Sequence, residues 1–243
     1  KPIKMKWVFR VKQDANGNVL KLKSRLTACG HAQRWNIDYL KVFAPVASYT
    51  TIRMVIAHAA MHNWELEQLD VDTAFLNSPL DVPIYCTPPA ELGAPPGMHV
   101  LLKRALYGLK QGSRCFNILL HEYLVGPKCG LVQSKHDPCL YTCRTQRITI
   151  VMAIFVDDLL LSAPNMLSIN WLKSKLKSRF DMTDQGPLTW ILGMHVTRDR
   201  ANGIVQLDQS RCILDFLKKH GMLDSNACHA PSDTKVHLTK PKQ

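Results

Sequence analysis

Two adjacent aspartates, Asp157 and Asp158, stand between two apolar runs, ITIVMAIF at 148–155 and LLLS at 159–162. Short runs rich in β-branched and aliphatic residues read as strands, so the pair is predicted to occupy the tip of a hairpin with apolar arms. Asp is common in turns, and a lone one there would mean little. Two like charges side by side, however, repel unless something neutralises them. A divalent cation is the simplest neutraliser, because Mg²⁺ favours carboxylate oxygens and keeps water or phosphate in its shell. A chain with this feature has to build a sheet and bring further oxygen ligands to one end of it. The alternative, a capped tight turn with the other acids paired to surface lysines, stays open on this pattern alone.

A third acid is at hand. The run WELEQLD at 64–70 alternates apolar and polar residues as a half-buried strand does, and Asp70 ends it. Three carboxylates on neighbouring strand ends could hold two ions about 3.5–4 Å apart, activating an attacking hydroxyl and stabilising the leaving oxygen of an in-line displacement at phosphorus. Asp72 is expected to face away from Asp70 or to begin the turn, and is the weaker ligand candidate.

Charge is distributed unevenly. Residues 1–60 carry eleven Lys/Arg against two Asp/Glu, residues 61–100 carry six acids and no Lys or Arg, and residues 101–243 return to twenty against eleven. A basic surface around an acidic centre suits a polyanion held near carboxylate-bound cations, although a merely solvated basic surface would give the same totals. No stretch approaches the roughly 18 uninterrupted apolar residues of a membrane span, and the basic N-terminus has no apolar signal core. The eight cysteines make no CxxC pair, and Cys139, Cys143 and His136 have no second ligand pair at finger spacing. They are expected to be reduced and packed, as in a reducing compartment. A start at Lys1 rather than Met and a polar end lead us to expect a piece of a longer polyprotein.

Asn16-Gly17 between 6–12 and 19–25 signals a hairpin, and Asn202-Gly203 between 188–197 and 203–207 a second one. Helices are predicted for the segment after Thr50 or Thr51, which would cap it, and over about 113–124, 166–180 and 209–220. A short strand is expected at 84–86 within a Pro-rich loop. The pattern predicts an α+β fold, a sheet covered by helices on one face.

Leu69-Asp-Val-Asp-Thr-Ala-Phe-Leu-Asn77 resembles the first aspartate motif of reverse transcriptases from copia-type LTR retrotransposons, and Phe155-Val-Asp-Asp158 resembles their YVDD box with Phe for Tyr. Ala105-Leu-Tyr-Gly-Leu-Lys-Gln111 is similar to their SLYGLKQ signature. Lys6-Trp-Val-Phe9, Lys23-Ser-Arg-Leu26, Phe43-Ala-Pro-Val-Ala47, Phe180-Asp-Met182 and Ile191-Leu-Gly193 follow the family's order. The resemblance covers about residues 6–200.

That resemblance implies a right-hand polymerase fold with an antiparallel palm sheet backed by helices. Residues 1–63 and 84–110 would form the fingers, 64–83 and 111–200 the palm, and 201–243 a partial thumb and connector. It implies RNA-directed DNA polymerisation in a Gag-Pol polyprotein, with two Mg²⁺ ions (or Mn²⁺) held by Asp70, Asp157 and Asp158, the last less directly. Lys23 and Arg25 would clasp the incoming triphosphate, Arg25 the better because its planar fork binds phosphate bidentately. Phe75 would be a steric gate against a ribose 2′-hydroxyl, Gln111 and Gly112 would lie near the nucleotide and template, and 190–194 would grip the primer end. Partners would be an RNA template, a DNA or RNA primer and deoxynucleoside triphosphates, with a dimer or RNase H and integrase parts as further options. The place of action would be a cytoplasmic virus-like particle, with nuclear access open.

Departures are Ser113 for a usual Pro, Cys115 for a larger polar residue, Cys29 for a basic one and Gln185 for Leu. They spare the three acids. They leave as rivals an inactive remnant that only binds nucleic acid and, behind it, a structural subunit of another polymerase.

Overall fold

The computed structural model describes residues 1–13 and 18–228. The Asn16-Gly17 turn and the end of the tail therefore lie outside the described residues, although the strands flanking that turn do not. β1 (Ile3–Gln13) and β2 (Val19–Ala28) pair antiparallel, Met5 opposite Ala28 and Arg10 opposite Lys23. β4 (Tyr85–Thr87) adds to β1 in parallel, and β5 (Val100–Leu101) closes the order β2-β1-β4-β5. Ile3, Met5, Ala28, Ile84, Cys86 and Leu109 form the core of this sheet.

The second sheet is antiparallel throughout, in the order β10-β3-β9-β8-β7-β6. Its members are β3 (Glu65–Val71), β6 (Val132–Gln133), β7 (Leu140–Arg144), β8 (Thr149–Phe155), β9 (Asp158–Ala163) and β10 (Met182–Pro187). α1 (Tyr49–Met61) packs on β3, β8 and β9, and α3 (Met166–Lys177) on β3, β8 and β9 as well. α2 (Gly112–Val125) packs on β6 and on the short 3-10 turn Ala74–Asn77.

The expected half-buried strand at 64–70 is corrected. β3 is buried almost along its whole length because it lies between β9 and β10 under two helices. Its polar residues are accommodated instead. Glu67 bonds Lys173 Nζ of α3 at 2.7 Å and Gln68 Nε2 donates to Asp158 Oδ1 at 3.3 Å, so the polar half of the alternation marks paired groups and not solvent. The cap of α1 also shifts, since it is Ser48 whose hydroxyl accepts from Thr51 N at 3.0 Å.

A second compact unit comprises Thr189–Thr197 and the chain from Gln206 onward. It contains β11 (Trp190–Ile191), which pairs with the start of β12 (Met194–Asp199), and α4 (Ser210–Lys219), preceded by β13 (Ile204–Asp208). The run at 188–197 is split by a tight turn with positive φ at Leu192 (49°) and Gly193 (77°), within the 190–194 segment that the family resemblance implies is a strand turn.

Candidate active site

The hairpin at the centre of the second sheet has the two aspartates at its tip. Phe155 pairs with Asp158, leaving Val156 and Asp157 as a two-residue turn. Val156 has φ 59°, a region that β-branched residues avoid and that costs of order 1–3 kcal/mol. The strained turn aims Asp157 outward while Asp158 stays in the ladder. Across the sheet Asp70 is directly opposite Asp158, and Val71 N donates to Asp157 O at 3.0 Å. Residues 88 positions apart in sequence are thus cross-strand neighbours at one sheet end.

Asp72 begins the turn after β3, the second of the two expected places, and from there it lies with Asp70 and Asp157 along one cleft of about 1110 Å³. Thr183, itself opposite Asp70 on β10, donates Oγ1 to both carboxylate oxygens of Asp72 at 3.1 and 3.0 Å. Burial, then the charges of Asp157, Asp158 and Asp72, push the Asp70 carboxyl up to about 6, with Lys23 opposing. Burial and Asp157 raise Asp158 too, against the hydrogen bond from Gln68. Among the described residues no three His, Cys, Asp or Glu side chains are already drawn together as a metal cage. The donors nevertheless fit a hard cation, being carboxylate oxygens in a polar cleft that their own repulsion makes unfavourable to charge.

The facing wall is basic. Arg10, Lys21, Lys23 and Arg25 of the β1–β2 ribbon line the same cleft. The Arg25 guanidinium sits over the Tyr107 ring, 5.2 Å from its centroid, and Tyr107 meets Phe75 at 4.6 Å between ring centroids. Burial, followed by Asp157, raises the Tyr107 phenol, with Arg25 opposing. Two glycines impose this arrangement. Ala28 N donates to Tyr107 O at 2.8 Å, and Gly108, at φ 90°, approaches Ala28 so closely that a Cβ there would lie 2.1 Å from its carbonyl oxygen. Gly30 approaches Gly108 O as tightly, at 1.9 Å for such a Cβ.

The structure brings Asp70, Asp157, Lys23 and Arg25 together on the cleft, with Asp158 beside Asp70 and Phe75 behind Tyr107. It does not bring Gln111 there. That side chain is fully buried, donating Nε2 to Asp38 O at 2.9 Å and accepting from Gln33 Nε2 at 2.8 Å. Gly112 is buried under Phe75, whose ring a Cβ would meet at 3.7 Å. Both support the motif from behind because the chain turns inward after Lys110. Tyr107 was missed as a site residue. Its signal was present, an aromatic between two small-residue constraints in the 105–111 motif. Trp190, 43% exposed and 5.0 Å from His195, lies in the second unit.

Comparison with known proteins matches residues 1–234 to the family described as reverse transcriptase (RNA-dependent DNA polymerase). The chain is 33% identical to the Retrovirus-related Pol polyprotein from transposon TNT 1-94 of Nicotiana tabacum, over 99% of this chain and 18% of that protein. It is 32% identical to the corresponding polyprotein from transposon RE2 of Arabidopsis thaliana, over 96% of this chain and 16% of the relative. Identity to the Transposon Ty1-BL Gag-Pol polyprotein of Saccharomyces cerevisiae is 26%, over 72% of this chain and 9% of that protein. The chain therefore spans less than a fifth of the length of these relatives.

Proposed function

The chain belongs to the reverse transcriptase (RNA-dependent DNA polymerase) family, as carried by copia-type retrotransposons, and on that premise we propose that it extends a primer on an RNA template. The 3′-hydroxyl of the primer attacks the α-phosphate of a deoxynucleoside triphosphate and pyrophosphate leaves. The observation that carries this reading is the register of Asp70 opposite Asp158, with Asp157 turned into a cleft whose other wall is cationic. Asp70 and Asp157 would hold two divalent cations, Mg²⁺ or Mn²⁺, with Asp158 acting through its neighbours. Such cations, when bound, lower the cost of charge on the attacking and leaving oxygens.

The rest is positioning, which dominates phosphoryl transfer. Arg25 and Lys23 bind the triphosphate from the ribbon side. Tyr107, held by Gly108 and braced by Phe75, forms the floor on which the sugar rests, and the Phe75 ring, by fixing that floor, limits the room left for a 2′-hydroxyl. Gln111 and Gly112 act on the nucleotide only through the packing that fixes this floor. In a right-hand arrangement the four-stranded sheet, which unites 3–28 with 85–101, corresponds to fingers and the six-stranded sheet to palm. α1 then belongs with the palm, because it packs on β3, β8 and β9. The second unit corresponds to the primer grip and the start of a thumb.

Primer extension on a homopolymer RNA template with Mg²⁺ tests the proposal. Asp157→Asn is expected to reduce extension about a thousandfold while template–primer binding persists. Binding without extension in the unmutated chain would instead identify an inactive remnant. Restored activity on adding the flanking polyprotein regions would show that the segment needs them.

A further inference from the structure

We infer that Gln33 is a positioning residue for the incoming nucleotide: with Gln111 it forms an amide clamp that holds the end of β2 against the 105–111 turn and so sets Arg25 over Tyr107. This rests on the polymerase reading above. β2 ends at Ala28, just past Arg25, and the chain beyond it meets the turn around Tyr107 at successive points. Ala28 N donates to Tyr107 O at 2.8 Å, Gly30 lies against Gly108, and Lys110 N donates to Gln33 Oε1 at 2.8 Å. Gln33 Nε2 donates to Gln111 Oε1 at 2.8 Å and to Asp38 O at 3.2 Å, and Gln111 Nε2 donates to Asp38 O at 2.9 Å. The two glutamines are 5% and 0% exposed.

Their partners dictate how both amides point. A backbone N–H only donates and a carbonyl only accepts. The Lys110 N–H therefore claims the Gln33 oxygen, Asp38 O claims the nitrogen of each glutamine, and the Gln111 oxygen is left to face the Gln33 nitrogen. No flipped arrangement satisfies the set, and a buried amide left unpaired is costly. Gln111 also stands at the N-cap of α2, where a short side chain that bonds the first turn is preferred. It makes no such bond, because its side chain is committed to Gln33 and Asp38. Lys110 tightens the same joint, its Nζ donating to Gln33 O at 3.3 Å and lying 4.7 Å from the centroid of the Tyr39 ring.

Neither glutamine lines the cleft, whereas Arg25, Leu26, Leu106 and Tyr107 do. The clamp thus acts on a nucleotide through the pairing of Arg25 with Tyr107, 5.2 Å from guanidinium to ring centroid. Bidentate contact with phosphate needs the guanidinium fork at a fixed place, and a shift of about 1 Å in a positioning group costs on the order of a hundredfold.

Binding of a deoxynucleoside triphosphate by the full chain, on an RNA template with a chain-terminated primer and Mg²⁺, tests this because the complex forms without extension. Gln33→Met keeps the length of the side chain and removes its hydrogen bonds. It is expected to raise the nucleotide Kd about tenfold, leaving primer–template affinity and, on an extendable primer, kcat at saturating nucleotide unchanged. Gln33→Asn, still an amide but too short to span Lys110 and Asp38, is expected to act in the same direction and serves if Gln33→Met does not fold. In a double-mutant cycle, Gln33→Met is expected to add nothing once Arg25→Ala is present. An unchanged Kd in a folded variant, additive effects in the cycle, or an equal loss of primer–template affinity would overturn the clamp. Failures separate: an unmutated chain that binds the nucleotide but does not extend sinks the polymerase reading, whereas extension with a Kd indifferent to Gln33 sinks the clamp alone.

Discussion

Phe75 illustrates how much a single side chain depends on its neighbours. Its ring is half-buried, in contact with Tyr107 and close over Gly112. A wall that rejects one extra hydroxyl by shape alone discriminates by about a hundredfold. Phe75→Ala is therefore expected to lose about that factor in the preference for deoxynucleotides over ribonucleotides. The measurement is kcat/KM for each sugar, and unchanged discrimination would remove the gate from Phe75. At the same scale, Asp70, Asp157 and Asp158 were readable in the sequence because adjacent acids in apolar surroundings are chemically conspicuous. Tyr107 was harder to read, since its environment is created by Arg25, far along the chain, and by the close approach of Gly108 to Ala28.

Among the elements, the junction of α3 with β3 and β10 decides whether the acids stay aligned. Lys173 Nζ bonds Glu67 at 2.7 Å and Asp184 at 2.6 Å, and Lys177 bonds the other Asp184 oxygen at 2.8 Å. Burial alone would raise the Asp184 carboxyl, but the hydrogen bonds from Lys173, Lys177 and Gly186 N–H outweigh it and hold the group at about 2. An unfolded Asp titrates near 3.9, so between these values the unfolded chain binds the proton that the folded one refuses. The carboxylate therefore contributes stability above about pH 4–5, and that contribution is lost as pH falls towards 2. With its side chain 33% exposed, solvent screening reduces the contribution to about 1 kcal/mol. Asp184→Asn is expected to lower the unfolding free energy from urea titration at pH 7 by about 1 kcal/mol and to converge with the unmutated chain near pH 2. Parallel stability curves across this range would exclude the linkage.

For the whole molecule the decisive quantity is the field, a net charge of +12 with an acid-only stretch at 61–100. Folding places Asp70 and Asp72 of that stretch in a cleft and the basic N-terminal ribbon on its wall, so part of the sequence-level asymmetry becomes a spatial one. Template–primer affinity is expected to fall linearly on logarithmic axes as salt rises. Lys23→Ala is expected to reduce the magnitude of that slope by about one if Lys23 neutralises one phosphate. Affinity measured across a salt series gives the slope directly, and an unaltered slope would show that Lys23 does not meet a phosphate. Glu65, Glu67, Asp81 and Glu91, although part of the acidic stretch, do not line the cleft, so composition overstated how much of that stretch belongs to the site.

The sequence by itself determined the local chemistry: a hairpin with two acids at its tip, a third acid ending another strand, helices at 3.6-residue spacing and a basic N-terminal ribbon. These follow from periodicity and turn preference, which act over a few residues. Only the tertiary structure decided that Asp70 is the neighbour of Asp158, that Asp72 shares its cleft, that Gln111 turns inward and that Tyr107 joins Arg25. Those outcomes depend on strand order and register, fixed by packing between segments far apart in the chain, and no local propensity encodes them.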